Sequence, residues 1–141
     1  MLHGQLQGAW LLRERQPDEV PVAASAHGLR GLDATVTFAA TGAITRAMVQ
    51  PTRGWTDADW TPSSRRLRAR GLLDSGGRLT KTGGALRREV EDLTDRLAAG
   101  PVERLGSTGV ERAIELATPV SRHLMDTGVV PVPNPIGAPR P

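Results

Sequence analysis

The chain has 141 residues, a length that fits one compact domain better than two. It contains no Cys, so disulfides, thiolate metal sites and cysteine nucleophiles are excluded, and one Phe and three Trp are too few for a platform that stacks single-stranded bases. The formal net charge is +3. The sequence has no signal-peptide pattern and no apolar run of about 18 residues, so we expect a cytoplasmic protein without membrane contact.

Apolar residues at helical spacing predict three helices in the first part of the chain. The first covers residues 2–16 and ends before Pro17, because proline disfavours the continuation of a helix. The second covers residues 20–27 and the third residues 29–41. Gly42 follows directly and suits the left-handed conformation that often closes a helix.

The next two predicted helices are separated by a short turn. A helix at 44–50 is expected to stop at Pro51, and Thr56 then offers a side-chain oxygen that caps a new helix at 57–70. Asp59 follows Thr56 at the spacing of a capping box. This order of elements predicts a helix-turn-helix unit whose recognition helix is the one at 57–70.

Pro62 leaves a second interpretation of the recognition helix open. Proline beyond the first turn kinks or restarts a helix, so Thr61 could instead cap a shorter helix that begins at Pro62. In both interpretations Trp60 and Leu67 anchor the helix to the core.

A small β-hairpin and two further helices complete the predicted domain. The tight turn at 74–77 (DSGG) lies between two short extended pieces and predicts the hairpin. A long helix at 81–99 is expected to stop at Gly100 and Pro101, and a last helix covers 109–126. Proline is frequent after that helix, which predicts a mobile tail at 128–141.

The positive charge is concentrated on the predicted recognition helix, the hairpin and the following helix. Residues 60–88 carry eight basic residues and one acid, whereas the rest of the chain carries ten basic and fourteen acidic residues. These are the elements from which a winged helix contacts phosphates and groove edges. The residues predicted to contact DNA are Arg53, Thr56, Ser63, Ser64, Arg65, Arg66, Arg68, Arg78 and Lys81. Arg65, Arg66 and Arg68 are expected to contact phosphates and bases, the other cations phosphates alone.

Two segments resemble a known family. Residues 67–73 (LRARGLL) and 79–86 (LTKTGGAL), with a short wing between them, resemble the multiple-antibiotic-resistance-regulator (MarR) type of winged helix. A wider resemblance, carried by 12–14 (LRE), 53–60 (RGWTDADW) and 93–101 (LTDRLAAGP), is to actinobacterial helix-turn-helix proteins, which are usually longer and whose C-terminal half this chain matches. The MarR resemblance implies a regulator of double-stranded DNA that forms a homodimer through its terminal helices.

The sequence therefore predicts a mainly α fold with a small β-hairpin, a winged helix-turn-helix. Residues 1–127 form the domain with its flanking dimerisation helices, and 128–141 form the Pro-rich tail. The predicted function is transcriptional regulation through double-stranded DNA, and a small-molecule effector of unknown identity is compatible with it. The alternative is a protein-interaction module that keeps the fold without binding DNA, or the ligand-sensing half of a larger actinobacterial assembly.

No catalytic, metal or cofactor site is predicted. The histidines His3, His27 and His123 are scattered and lack the spacing of metal ligands. Ser63 and Ser64 lack the flanking glycines of a nucleophile elbow, and no glycine-rich phosphate loop follows a strand. We therefore do not expect an enzyme.

Overall fold

A computed structural model describes residues 19–134 and 140–141 of the chain. The predicted helix at 2–16 lies outside the described residues. The helices of the described part are α1 (Glu19–Ala26), α2 (Leu32–Ala39), α3 (Arg46–Arg53), α4 (Asp57–Ala69) and α5 (Lys81–Asp126). α5 is interrupted at Gly106, whose φ of 65° and ψ of 173° are not helical. α1 packs against α5, while α2 packs against both α4 and α5.

Side-chain caps and left-handed glycines set the bounds of the central helices. Thr45, Thr56 and Thr80 are the N-caps of α3, α4 and α5, and each hydroxyl accepts a hydrogen bond from an amide in the first turn. Gly54 and Gly71 follow the last residues of α3 and α4 with φ near 69°, a conformation that side chains with a Cβ rarely adopt. The predicted start of the recognition helix at Thr56 is therefore confirmed.

The prediction that proline ends a helix at Pro51 and at Pro101 is wrong. Pro51 lies inside α3, Pro62 inside α4 and Pro101 inside α5. Pro51 and Pro62 are exposed, so water can hydrate the carbonyl one turn earlier that each ring leaves without an amide partner. The alternative cap at Thr61 is excluded by the same observation, because α4 runs through Pro62 without restarting.

One hydrophobic core joins all five described helices. It is built from one face of each helix, from one residue in each of the connections before α2 and α3, and from the two leucines that follow α4. Its buried apolar residues are Ala23, Ala24, Leu29, Leu32, Val36, Ile44, Val49, Trp60, Leu67, Leu72, Leu73 and Val90. Trp55 packs against the edge of this cluster, so Trp55 of the turn and Trp60 of α4 both anchor this region to the core. The buried side chains of α4 fix which of its faces is left for solvent.

The predicted β-hairpin, and with it the winged form of the fold, is wrong. No strand or sheet occurs in residues 19–134, where Leu73 and Leu79 form a single isolated antiparallel bridge. Leu72 and Leu73 are both buried, and the amide and hydroxyl of Thr80 donate to the carbonyls of Leu72 and Gly71, just after α4. Because the buried leucines hold the start of residues 72–80 and the Thr80 hydrogen bonds hold their end, only a compact turn fits between α4 and α5. The helix-turn-helix order is consistent with the structure.

The segment after α5 folds back on it where the structure describes it. The amide of Val130 donates to the carbonyl of Leu124 at 3.0 Å, and Arg140 pairs with Asp126. The boundary at 127 and the mobility of residues 128–141 stay predictions, since residues 135–139 lie outside the described part. None of the described helices has both the length and the apolar content needed to cross a membrane.

Candidate nucleic-acid interface

The start of α4 is fixed by a complete capping box. The Thr56 hydroxyl accepts from the amide of Asp59 at 3.3 Å, and Oδ2 of Asp59 accepts from the amide of Thr56 at 2.9 Å. The same carboxylate accepts the Thr56 hydroxyl proton at 2.5 Å. These hydrogen bonds from Thr56 lower the pKa of Asp59 below its ordinary value. Thr56, a predicted DNA contact, therefore has a structural role in the helix start.

A second set of contacts holds α3 against α4. Arg46 donates through Nη2 to Oδ1 of Asp57 at 2.5 Å, and Nε2 of Gln50 donates to the same oxygen at 3.0 Å. The Arg46 guanidinium also lies over the Trp60 ring, 5.1 Å from its centroid. The pKa of Asp57 is lowered, first by the Gln50 hydrogen bond and then by the Arg46 charge. No local sequence pattern indicates this role for Arg46, since it depends on the angle between two helices.

The four arginines in residues 65–70, at the end of α4, have different environments. Arg65 is exposed and makes no hydrogen bond or ion pair with a described residue. Arg66 pairs with the buried Asp33 of α2, and Nε of Arg68 donates to the carbonyl of Asp74 at 3.2 Å.

Arg70 holds the loop that follows α1. Its Nη1 donates to the carbonyl of Gly28 at 2.7 Å and its Nη2 to that of His27 at 3.2 Å. The charge of Arg70 therefore satisfies carbonyls near the end of α1.

The two predicted serine contacts are separated by the structure. Ser63 is fully buried, and its hydroxyl donates to Oδ1 of Asp33 at 2.5 Å. Ser64 is half-buried on the side of α4. Ser63 is thus part of the packing between α2 and α4 and does not belong to the surface of α4.

The exposed face of α4 contains a residue that was not among the predicted contacts. Thr61 is exposed and lies one turn before Arg65, so the two side chains share a face. Ala58 and Ala69 are also exposed, and their small side chains allow a close approach to the helix backbone there. The same rotation of 100° per residue that places Arg65 outward places Thr61 near it, so the sequence already contained this information.

The remaining predicted contacts lie around the two ends of α4. Arg53 is exposed in the last turn of α3, and Lys81 is exposed at the first position of α5. Arg78 donates through Nε to Oδ2 of Asp74 at 3.1 Å within the turn after α4. The pKa of Asp74 is lowered, first by the hydrogen bond from the Arg78 amide. The first turn of α5 contains no acid, so no negative side chain there offsets the partial positive charge at the N-terminus of this helix.

The arrangement of α3, a tight turn and α4 on α2 is that of a helix-turn-helix protein. The model of a family described as "Helix-turn-helix family" matches residues 2–131, and the chain belongs to that family. No curated protein and no solved structure matched the chain significantly.

Proposed function

We propose that this chain is a DNA-binding transcriptional regulator that places α4 in the major groove of double-stranded DNA. The observation that carries the proposal is the exposed face of α4, on which Arg65 has no partner among the described residues and is flanked by small side chains. The major groove admits an α-helix, and an arginine there can bind guanine through two hydrogen bonds. Membership of a helix-turn-helix family supports the same conclusion.

The roles that we propose for the other basic residues depend on whether each has a partner within the chain. Arg53 and Lys81 lie at the two ends of the unit without described partners, and we assign them to phosphate contacts. Arg68 is exposed and bonded to the carbonyl of Asp74, so its charge adds positive potential close to the backbone of the DNA. The charge of Arg78 is offset by its ion pair with Asp74.

The charge distribution favours a homodimer as the DNA-binding form. The net positive segment is small and the rest of the chain carries an excess of acids, which opposes non-specific attraction to DNA. Two copies would present two basic faces to successive half-sites. Leu116 and Val120 lie one turn apart on α5 and are 58% and 59% exposed, which supports a contact between copies along this part of the helix.

The second candidate function is a protein-interaction module that does not bind DNA. The same exposed apolar residues of α5 favour it, because they are as suitable for another protein as for a second copy. A stable complex with a partner that leaves duplex DNA unbound would support this alternative. We assign no catalytic role to the chain under either function. We propose that the regulator is cytoplasmic. A small-molecule effector is compatible with this function.

Binding to a labelled duplex of mixed sequence, measured by fluorescence anisotropy over a range of salt concentrations, tests the proposal. Wild-type protein should bind at low salt. On a mixed-sequence duplex, where Arg65 meets phosphates rather than a specific guanine, Arg65→Ala should weaken binding and reduce the slope of log K against log salt by about 0.9, the loss of one phosphate contact. Arg96→Ala, which removes an exposed arginine of α5 away from α4, is the matched control and should leave the slope unchanged. A wild-type protein that does not bind the duplex at low salt contradicts the proposal.

A further inference from the structure

A buried carboxylate of α2 holds two residues of α4. Oδ1 of Asp33 accepts from the Ser63 hydroxyl at 2.5 Å and from Nη2 of Arg66 at 2.7 Å. The Asp33 side chain is 5% exposed, whereas that of Arg66 is 56% exposed. Ser63 and Arg66 are three residues apart and therefore lie on one flank of α4. A single acceptor between the helices is thus shared by two donors of the recognition helix.

We propose that Arg66 is a positioning residue for DNA binding and acts through Asp33, rather than contacting DNA itself. This inference depends on the function proposed above. A helix that is held only by apolar contacts can rotate slightly about its axis, whereas directional hydrogen bonds fix that rotation. With the Arg66 flank bound to α2, the adjacent Arg65 is turned away from the core and toward solvent.

The negative charge of Asp33 makes its proposed role in DNA binding testable. An acid near the DNA-binding helix repels phosphates, so simple electrostatics predicts that its removal strengthens duplex binding. If Asp33 instead orients α4, removing its charge frees Arg66, loosens the helix and weakens binding. The two explanations therefore predict opposite effects of the same isosteric substitution, Asp33→Asn.

A double-mutant cycle on the mixed-sequence duplex separates the two explanations. We expect Asp33→Asn and Arg66→Ala each to weaken binding, by about tenfold, and the double variant to be no weaker than either single variant, as for residues that act as one unit. Ser63→Ala should weaken binding in the same direction by a smaller factor. Losses that add in the double variant, or tighter binding by Asp33→Asn, would overturn the inference.

Two controls exclude a general effect of lost negative charge and a general effect of lower stability. Asp95→Asn removes an equal charge from an exposed position on α5 and should not weaken binding. Val90→Ala removes buried apolar volume from α5, so it lowers thermal stability while leaving the Kd unchanged at temperatures where the protein is folded. A wild-type protein that does not bind the duplex overturns the proposed function and this inference together. Additive losses in a protein that does bind overturn only the inference.

Discussion

At the scale of single residues, the partner of each cation decides what that cation can do. Arg66, Arg70 and Arg78 all belong to the basic part of the chain, residues 60–88. Each of them is bonded to an acid or to backbone carbonyls of the chain itself. Arg65 has no such partner among the described residues, so its charge is available to a ligand. The count of arginines therefore overstates the surface that can contact DNA, and the orientation of Arg65 matters more than the total charge.

Gly83 and Gly84 provide a matched pair for testing the contact between α5 and the end of α4. A Cβ on Gly83 would lie 2.1 Å from the carbonyl oxygen of Leu72, whereas a Cβ on Gly84 would meet only the end of Arg88 at 3.7 Å. We expect Gly83→Ala to lower the free energy of unfolding by about 1–3 kcal/mol, because the backbone must move. Gly84→Ala should raise it by about 0.5–1 kcal/mol through better helix propensity. Urea denaturation measures both, and equal effects of the two substitutions would contradict the packing described.

The capping box predicts a specific dependence of stability on pH. Hydrogen bonds from Thr56 lower the pKa of Asp59 in the folded protein, so ionised Asp59 stabilises the fold above the ordinary Asp pKa of about 4. This stability is lost as the pH falls through the lower pKa of the folded state. In thermal unfolding below about pH 4, Asp59→Asn should therefore lose Tm less steeply than the wild type. Glu103→Gln, at an exposed acid without a described partner, should retain the wild-type slope, and a wild-type slope in Asp59→Asn would refute the prediction.

At the scale of helices, Thr56 and Thr61 test where the recognition helix begins. The Thr56 hydroxyl caps α4, whereas Thr61 is an exposed residue inside the helix. Thr56→Ala should cost about 1 kcal/mol of unfolding free energy, as expected for the loss of an N-cap. Thr61→Ala should cost less than about 0.5 kcal/mol, because it removes no cap. The reverse order in denaturant titrations would show that the helix starts at Pro62 instead.

The helix order and the cap at Thr56 could be predicted from the sequence because both depend on local chemistry. Apolar spacing located the core faces of α2 and α4, and the capping box requires only residues three apart. Pro51 misled the prediction of where α3 ends, because whether a carbonyl without a partner can be hydrated depends on exposure, which is a tertiary property. The hairpin failed for a similar reason, since Leu72 and Leu73 both turn into the core instead of alternating.

The candidate site was harder to predict because its contacts join distant parts of the sequence. Asp33 is far from Arg66 along the chain, and no local pattern connects them. The Arg46 guanidinium reaches Trp60 only because the turn at Gly54 sets the angle between α3 and α4. Charge patterning pointed to α4 and its surroundings, but only the packed structure separates the arginines bonded within the chain from Arg65, which has no described partner.

At the scale of the whole molecule, the exposed apolar residues late in α5 predict self-association. Leu116 and Val120 are large, apolar and mostly exposed on one side of the helix. Replacing either with Glu should convert a dimer to a monomer in light scattering coupled to size exclusion, because the contact would bury an unpaired charge. Val22→Glu, at an exposed apolar residue of α1, is the control and should leave the dimer intact. A monomeric wild-type protein would contradict the prediction.

The central claim is that the exposed face of α4 contacts duplex DNA, and amide resonances of isotope-labelled protein test it most directly. During a low-salt titration with a mixed-sequence duplex, the largest shifts should occur in α4 around Arg65, with smaller ones at Arg53 and Lys81 near its two ends. The buried residues of α2 should shift little. Unchanged spectra, or changes confined to residues 107–126 of α5, would contradict the claim.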